Sequence, residues 1–208
     1  LFDTQVLLEA LESAKQRGEN DFGKHILPRM IGTHRVFAYD FAQNRIPGIR
    51  AYEEAAYWRD VGTIDAYFEA NRDTLFQEPR FNLFNPRWFV NSSNYQGPSA
   101  KINGGEIDNC IIGAGSLVNG ARIRNSIIRR EVIIEPDVEI DDCIIMDYTV
   151  IRRGTRLKRV IVDRHNTLEA GTQIGFDAAA DHARYRVSEG GIAVVPKGRH
   201  VFDVSGYY

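Results

Sequence analysis

The sequence predicts a mixed α/β segment, the remnant of a larger domain, followed by a left-handed parallel β-helix of about four coils. A block with an aliphatic doublet at its end recurs at Ile107–Ile112, Ile123–Ile128, Ile140–Ile145 and Leu157–Val162, at offsets of 16, 17 and 17 residues. Between blocks the apolar positions step by five, six and six, as in Ile123, Ile128, Ile134 and Ile140, and again through Ile145, Ile151, Leu157, Val162, Leu168 and Ile174. Three steps per period mean three sides per coil, a hexapeptide-type solenoid in which each coil buries its inward aliphatic residues on the next.

The elements before the repeat follow helical spacing. Val6, Leu7, Ala10, Leu11 and Ala14 make one apolar face, Asp3 and Thr4 supply capping oxygens, and a helix is predicted over residues 4–17, ended by Gly18. Residues 21–28 read as a turn into a second, shorter helix. Alternation at Val36, Tyr39 and Phe41 predicts a strand over 34–41, then a loop at Pro47 and Gly48, then a second strand over 57–61. Thr63 is positioned to cap a helix whose Ile64, Tyr67, Phe68 and Leu75 share a side.

Residues 77–99 carry three prolines and read as a wrapping linker, its Phe81, Leu83, Phe84, Trp88 and Phe89 expected out of water. The β-helix spans 100–175 and a cap spans 176–208, with a helix near 177–184 and a strand near 191–195. A coil stack exposes a sheet edge at each end, and the linker and the cap are its expected covers. Residues 1–76 are too poor in strands for a complete α/β domain, and Leu1 is no initiator, so the segment is expected to be the tail of a domain.

Only two cysteines occur, Cys110 and Cys143, in one column of the repeat two coils apart. Coils stack at roughly 4.8 Å, so the pair is about 10 Å apart, beyond the ~7 Å reach of a disulfide. Free thiols are expected. A net charge of −2 and 43% apolar residues give no basic field for nucleic acid or an anionic membrane surface. A small-molecule ligand and a cytoplasmic location are expected, since no apolar run or basic leader points elsewhere.

For chemistry, the segment Tyr57-Trp58-Arg59-Asp60-Val61-Gly62-Thr63-Ile64 stands out. Asp60 closes a predicted strand before a glycine turn, where a carboxylate can project into a cleft. It could equally pair with Arg59 or help cap the helix at Thr63. The segment resembles bacterial ADP-glucose pyrophosphorylase (glucose-1-phosphate adenylyltransferase) in its C-terminal half, as do residues 21–24, 66–71, 85–88 and 190–195. The resemblance covers essentially the whole chain.

It implies an enzyme that makes ADP-glucose and pyrophosphate from ATP and glucose 1-phosphate for glycogen synthesis, using Mg²⁺ and working as a regulated homotetramer. It assigns residues 1–76 to the end of a nucleotidyltransferase domain and makes Asp60 a metal ligand. Asp21, Phe22 and Trp58, with Asp60, would shape the sugar-phosphate site, a carboxylate and aromatic walls suiting a sugar. Lys197 matches an effector-binding lysine of plant and cyanobacterial relatives, and Arg184 and Arg186 could join such an anion site. The family's glycine-rich nucleotide loop, first metal-binding aspartate and sugar-phosphate lysine have no counterpart here, so the fragment is expected to be inactive. Two alternatives stand beside this reading: a hexapeptide acyltransferase, for which His165 would be the only base within the coils, and a non-catalytic regulatory chain.

Overall fold

Each coil of the repeat turns three corners, and at every corner one residue sits in the left-handed region. A computed structural model describes residues 1–91 and 95–199, and the chain divides into two compact units, 1–44 and 45–208. In the second unit one corner column is Asn109, Asn125, Asp142 and Arg159, with φ between 49° and 55°. A second is Gly115, Glu131, Tyr148 and His165, and a third is Gly120, Asp137, Gly154 and Gly171, all with positive φ. Glycine, asparagine and aspartate take this conformation at low cost, whereas Arg159 and Tyr148 hold it because strands on both sides leave the chain no other path. In the first column Asn109 Nδ2 donates to Asn125 Oδ1 at 2.7 Å, so the corner residues also bond along the stack.

Between corners lie short strands in parallel register. Strands β1 (Lys101–Ile112) and β2 (Leu117–Ile128) run through all three sides of their coils. One side then continues through β3 (Ile133–Ile134), β6 (Val150–Ile151) and β9 (Thr167–Leu168). The second continues through β4 (Glu139–Asp141), β7 (Arg156–Lys158) and β10 (Gln173–Ile174). The third continues through β5 (Ile144–Ile145) and β8 (Val160–Val162), and β12 (Ala193–Val195) adds to it in parallel. The expected solenoid is thus present, and its interior is a continuous aliphatic column that includes Ile123, Ile128, Ile134, Ile140, Ile145 and Ile151.

The doublets do two jobs. Neighbouring residues of a strand point to opposite faces, so only the second member of each doublet, such as Ile128 or Ile145, enters the column. The first members of the later doublets, Ile144 and Ile161, form a separate buried cluster on the outside with Phe68 and Ile192. Phe68 belongs to a nine-residue helix, Ile64–Arg72, that packs on this outer stripe.

Another outer column alternates in charge: Glu106 pairs with Arg122 at 3.0 Å, Arg122 with Glu139 at 3.6 Å, and Arg156 with Glu139 at 2.9 Å. These pairs are exposed and contribute little stability. Their alternation does avoid like charges stacked along the ladder.

Past the coils, the helix Ala178–Arg184 is capped by Asp177, whose side chain accepts from the amides of Ala179 and Ala180. Strand β11 (Arg186–Val187) then pairs antiparallel with β12. Ala193 and Val195 belong to the core column, and Tyr185 and Val187 pack against it. Residues 200–208 of the cap and 92–94 of the linker lie outside the described residues.

The first unit holds the predicted helices. The helix Thr4–Gln16 starts at Asp3, whose carboxylate accepts from the amides of Gln5 and Val6 at 3.0 and 3.2 Å. A π-turn, Phe22–Ile26, leads into the short helix Leu27–Ile31, and Ala14, Ile26 and Met30 are buried together.

Four expectations need correction. Residues 34–41 form no strand, nor do 57–61. Alternation makes an extended run, but a strand also needs a partner for its amides and carbonyls, and neither run pairs with another among the described residues. Phe37 and Tyr39 are 83% and 76% exposed. The Thr63-capped helix ends at Arg72, so Leu75 is buried beyond it rather than on its face. In the linker, Phe81 and Leu83 are half-buried, but Phe84, Trp88 and Phe89 are exposed, against expectation.

Both cysteines are free, as the register requires. Burial pushes the Cys143 thiol up to about 12 and raises that of Cys110. Since the thiolate is the reactive form, Ellman's reagent at pH 8 should titrate only Cys110, slowly, and both thiols in denaturant. Rapid reaction of two thiols in the native protein would contradict this packing.

Candidate functional site

The segment singled out by sequence is anchored from one side. Along residues 57–60 burial alternates, with Tyr57 and Arg59 half-buried and Trp58 and Asp60 exposed. The Arg59 guanidinium donates to both carboxylate oxygens of Glu54, at 2.8 and 2.6 Å, and through Nε to Asp73 Oδ2 at 2.8 Å. It also lies 4.5 Å from the centre of the Tyr57 ring, which stacks in turn on Phe81 at 4.8 Å. The Tyr57 hydroxyl donates to Asp73 Oδ2 at 3.2 Å, and burial, with the Asp73 charge beside it, raises its pKa to about 12. The bonds to Glu54 and Asp73 hold Arg59 firmly protonated. A bidentate Arg–carboxylate pair fixes orientation as well as charge.

With Arg59 committed inward, Asp60 is not its partner. Asp60 Oδ1 accepts from the Gly62 amide at 3.0 Å, closing a tight turn, and Oδ2 accepts no hydrogen bond among the described residues. The helix cap falls to Thr63, whose Oγ1 accepts from the Ala66 amide at 3.1 Å. Trp58, 66% exposed, and Asp60 are therefore presented on the outer side of one anchored segment. Of the readings open for Asp60, pairing with Arg59 and capping at Thr63 are both excluded.

Trp58 lines a groove of 770 Å³ with Tyr67, Phe81, Leu83, Ile111 and Ile127, and Arg129, Arg130 and Asp147 also line it. Asp147 is buried and pairs with Arg129 at 3.0 Å and Arg130 at 3.9 Å. Asp21 and Phe22 lie in the first unit. Asp21 accepts from the Lys24 amide at 2.8 Å, capping the π-turn, and that bond holds its carboxyl below the usual carboxylate range. Phe22 is 43% exposed and meets Phe2 edge-on at 5.9 Å. Asp21 therefore does the work of a cap.

The three proposed effector cations are exposed and are not gathered in one groove. Arg186 lines a groove of 820 Å³ with residues 61–65, Asp163 and Glu189, while Arg184 and Lys197 line neither this groove nor the one beside Trp58. His165 sits at a corner with its ring stacked on Tyr148 at 5.1 Å.

No group of three or more metal-ligating side chains occurs among the described residues. Mg²⁺ commonly takes only one or two protein carboxylates, with water and substrate phosphates completing its shell. Asp60, with one oxygen uncommitted, fits the part of a single ligand and no more. Sequence reasoning missed the Glu54–Arg59–Asp73 clasp. The signal for it was a cationic residue at an inward position of an alternating run, which must find a counter-charge.

Two family models match successive parts of the chain. The family model for "Nucleotidyl transferase" matches residues 1–77, and that for "GlmU-like, C-terminal hexapeptide" matches residues 97–195. A glucose-1-phosphate adenylyltransferase of Thermodesulfovibrio yellowstonii is 46% identical over 204 residues, 98% of this chain and 50% of that protein. Along almost its whole length the chain is similar to glucose-1-phosphate adenylyltransferases. Proteins of that name from Geobacter metallireducens and Corynebacterium jeikeium are 38% and 33% identical, over 94% and 95% of this chain and 49% of each relative. The chain thus spans about half the length of the family members it matches. The anchored segment with Trp58 and Asp60 falls inside its nucleotidyl transferase match.

Proposed function

We propose that this chain supplies the sugar-phosphate side of an enzyme that joins glucose 1-phosphate to the α-phosphate of ATP, releasing pyrophosphate and ADP-glucose. The observation that carries this is the joint outward presentation of Trp58 and Asp60 on a segment clasped by Arg59, within a nucleotidyl transferase match. In that reaction an oxygen of the sugar phosphate forms a bond to the α-phosphorus while the bond to the leaving pyrophosphate breaks. Mg²⁺, when bound, would neutralise charge on the phosphoryl oxygens. Asp60 would hold one of its coordination positions. Trp58 offers a flat apolar wall to a sugar face.

The glycine-rich nucleotide loop, absent from these residues, belongs to the other half of such an enzyme, and we take the fragment alone to be inactive. The reading extends to a cytoplasmic homotetramer in glycogen synthesis. Arg186 is the most favourably placed of its effector cations, because it lines a groove that the other two do not. No helix among the described residues is long and apolar enough to cross a membrane.

The test is Mg²⁺-dependent formation of ADP-glucose by the protein carrying a complete nucleotidyltransferase domain. Trp58→Ala should raise KM for glucose 1-phosphate about tenfold, the worth of roughly one aromatic contact, with KM for ATP little changed. An enzyme that ignores glucose 1-phosphate, or a Trp58→Ala variant with unaltered KM, would refute the assignment.

A further inference from the structure

The turn that presents Asp60 runs directly into the helix Ile64–Arg72, whose first turn is held by the tip of the hairpin formed by β11 and β12. At its first turn, Ser188 Oγ donates to Asp65 Oδ1 at 2.7 Å across 123 residues of sequence. The same Oγ accepts from the Ile192 amide at 3.1 Å, so the hydroxyl is held at both its donor and its acceptor sides. Gly190 lies so close that a Cβ there would stand 2.2 Å from Asp65 Oδ1. At the last turn, Arg72 donates to Asp142 Oδ1 at 2.6 Å, Asp142 Oδ2 accepts from Arg159 at 3.2 Å, and Arg159 donates to the Gly190 carbonyl at 3.2 Å. The hairpin tip thus bonds the first turn of the helix directly and is linked to its last turn only through Arg159 and Asp142.

We infer that Ser188 and Asp65 are positioning residues for Asp60: the hairpin fixes the first turn of the helix, and the helix fixes the carboxylate turn before it. The path is short and each link is a hydrogen bond or a covalent step. Ser188 holds Asp65, two residues from the Thr63 cap, and the Thr63 cap holds the Ala66 amide. The chain leaving Thr63 backwards is the Gly62 amide that Asp60 accepts. Helix N-termini fray unless their orphan amides and first turn are fixed. A loose first turn would let the Asp60 carboxylate wander by the fraction of an ångström that matters to phosphoryl chemistry.

This rests on the reading of Asp60 as a substrate-side carboxylate, and the experiment separates the two. In the protein with its complete nucleotidyltransferase domain, Ser188→Ala should accelerate hydrogen exchange at the Gly62 and Ala66 amides by about three- to tenfold, the worth of one hydrogen bond. It should also lower kcat and raise the Mg²⁺ concentration for half-maximal rate by a similar factor, while KM for ATP holds. Ser188→Thr keeps the hydroxyl and should restore both readouts. Gly190→Ala, which wedges Asp65 from the other side, should reproduce the defect.

Unchanged exchange at those two amides would overturn the inference, and so would faster exchange with unaltered kcat and Mg²⁺ dependence. Asp60→Asn then decides what failed. If it abolishes turnover, only the positioning role falls; if it too is silent, the reading of Asp60 falls with it.

Discussion

Asp60→Asn should reduce turnover of the complete enzyme by about two to three orders of magnitude, the scale on which removal of a single charge-stabilising group acts in a water-excluded site. The substitution keeps size and the acceptor that meets the Gly62 amide, since an asparagine oxygen can take the place of Oδ1 at 3.0 Å. What it removes is the negative charge and the second oxygen proposed to bind the metal. The exposed side chain and its single local bond predict almost no change in thermal stability, because surface substitutions without buried partners fall within about 0.5 kcal/mol. Loss of activity without loss of Tm is therefore the expected signature, and excess Mg²⁺ should recover part of the rate. A variant that turns over like the parent would place the metal elsewhere.

The second large effect concerns the two halves of one doublet. Ile145 is fully buried in the solenoid column, and Ile145→Ala should destabilise the protein by about 3 kcal/mol, within the span measured for buried aliphatic truncations. For a chain of this size that corresponds to a fall in Tm of very roughly 10 °C. Its neighbour Ile144 is 2% exposed but faces the other way, onto Phe68. Ile144→Ala should cost a comparable amount through a different element, loosening the helix Ile64–Arg72 while the coils persist. Hydrogen exchange separates the outcomes: protection should be lost across the coil strands for Ile145→Ala, and in the helix for Ile144→Ala. Identical exchange patterns for both variants would show that helix and solenoid unfold as one cooperative unit.

The doublets also show what the sequence could and could not convey. Four aliphatic blocks at near-constant spacing made the coil legible, because a repeated pattern averages out the ambiguity of any one short strand. The same blocks held a signal that was read too simply: two adjacent isoleucines cannot both point inward on a strand. A doublet repeated from Ile111–Ile112 to Ile161–Val162 announces a second apolar face, and the helix carrying Phe68 covers its later part, at Ile144 and Ile161.

Residues 34–41 and 57–61 alternate as strands do, yet strand identity depends on a partner that a single segment does not contain. The exposure of Phe84, Trp88 and Phe89 has the same origin, since an aromatic residue shows that it needs a neighbour without naming one. Local alternation alone is enough to set Trp58 and Asp60 on one side. The Ser188–Asp65 bond, between residues 123 apart, leaves no trace in local pattern.

The strict register makes the coil a unit of length, and two of its columns alternate from coil to coil: Glu106, Arg122, Glu139 and Arg156, and Cys110, Ser126 and Cys143. Cys110 pairs with Ser126 in register, and the Cys143 amide donates to the Ser126 hydroxyl, so serine separates the two thiols. Excising one whole 17-residue turn around Ser126 would preserve every corner and every inward aliphatic column. It would also set Cys110 directly on Cys143 at about 4.8 Å, within bonding reach under oxidising conditions, and bring Glu106 against Glu139. Along its charged column the solenoid can therefore be shortened without a like-charge contact only by pairs of turns, a parity rule written by its side chains rather than its backbone.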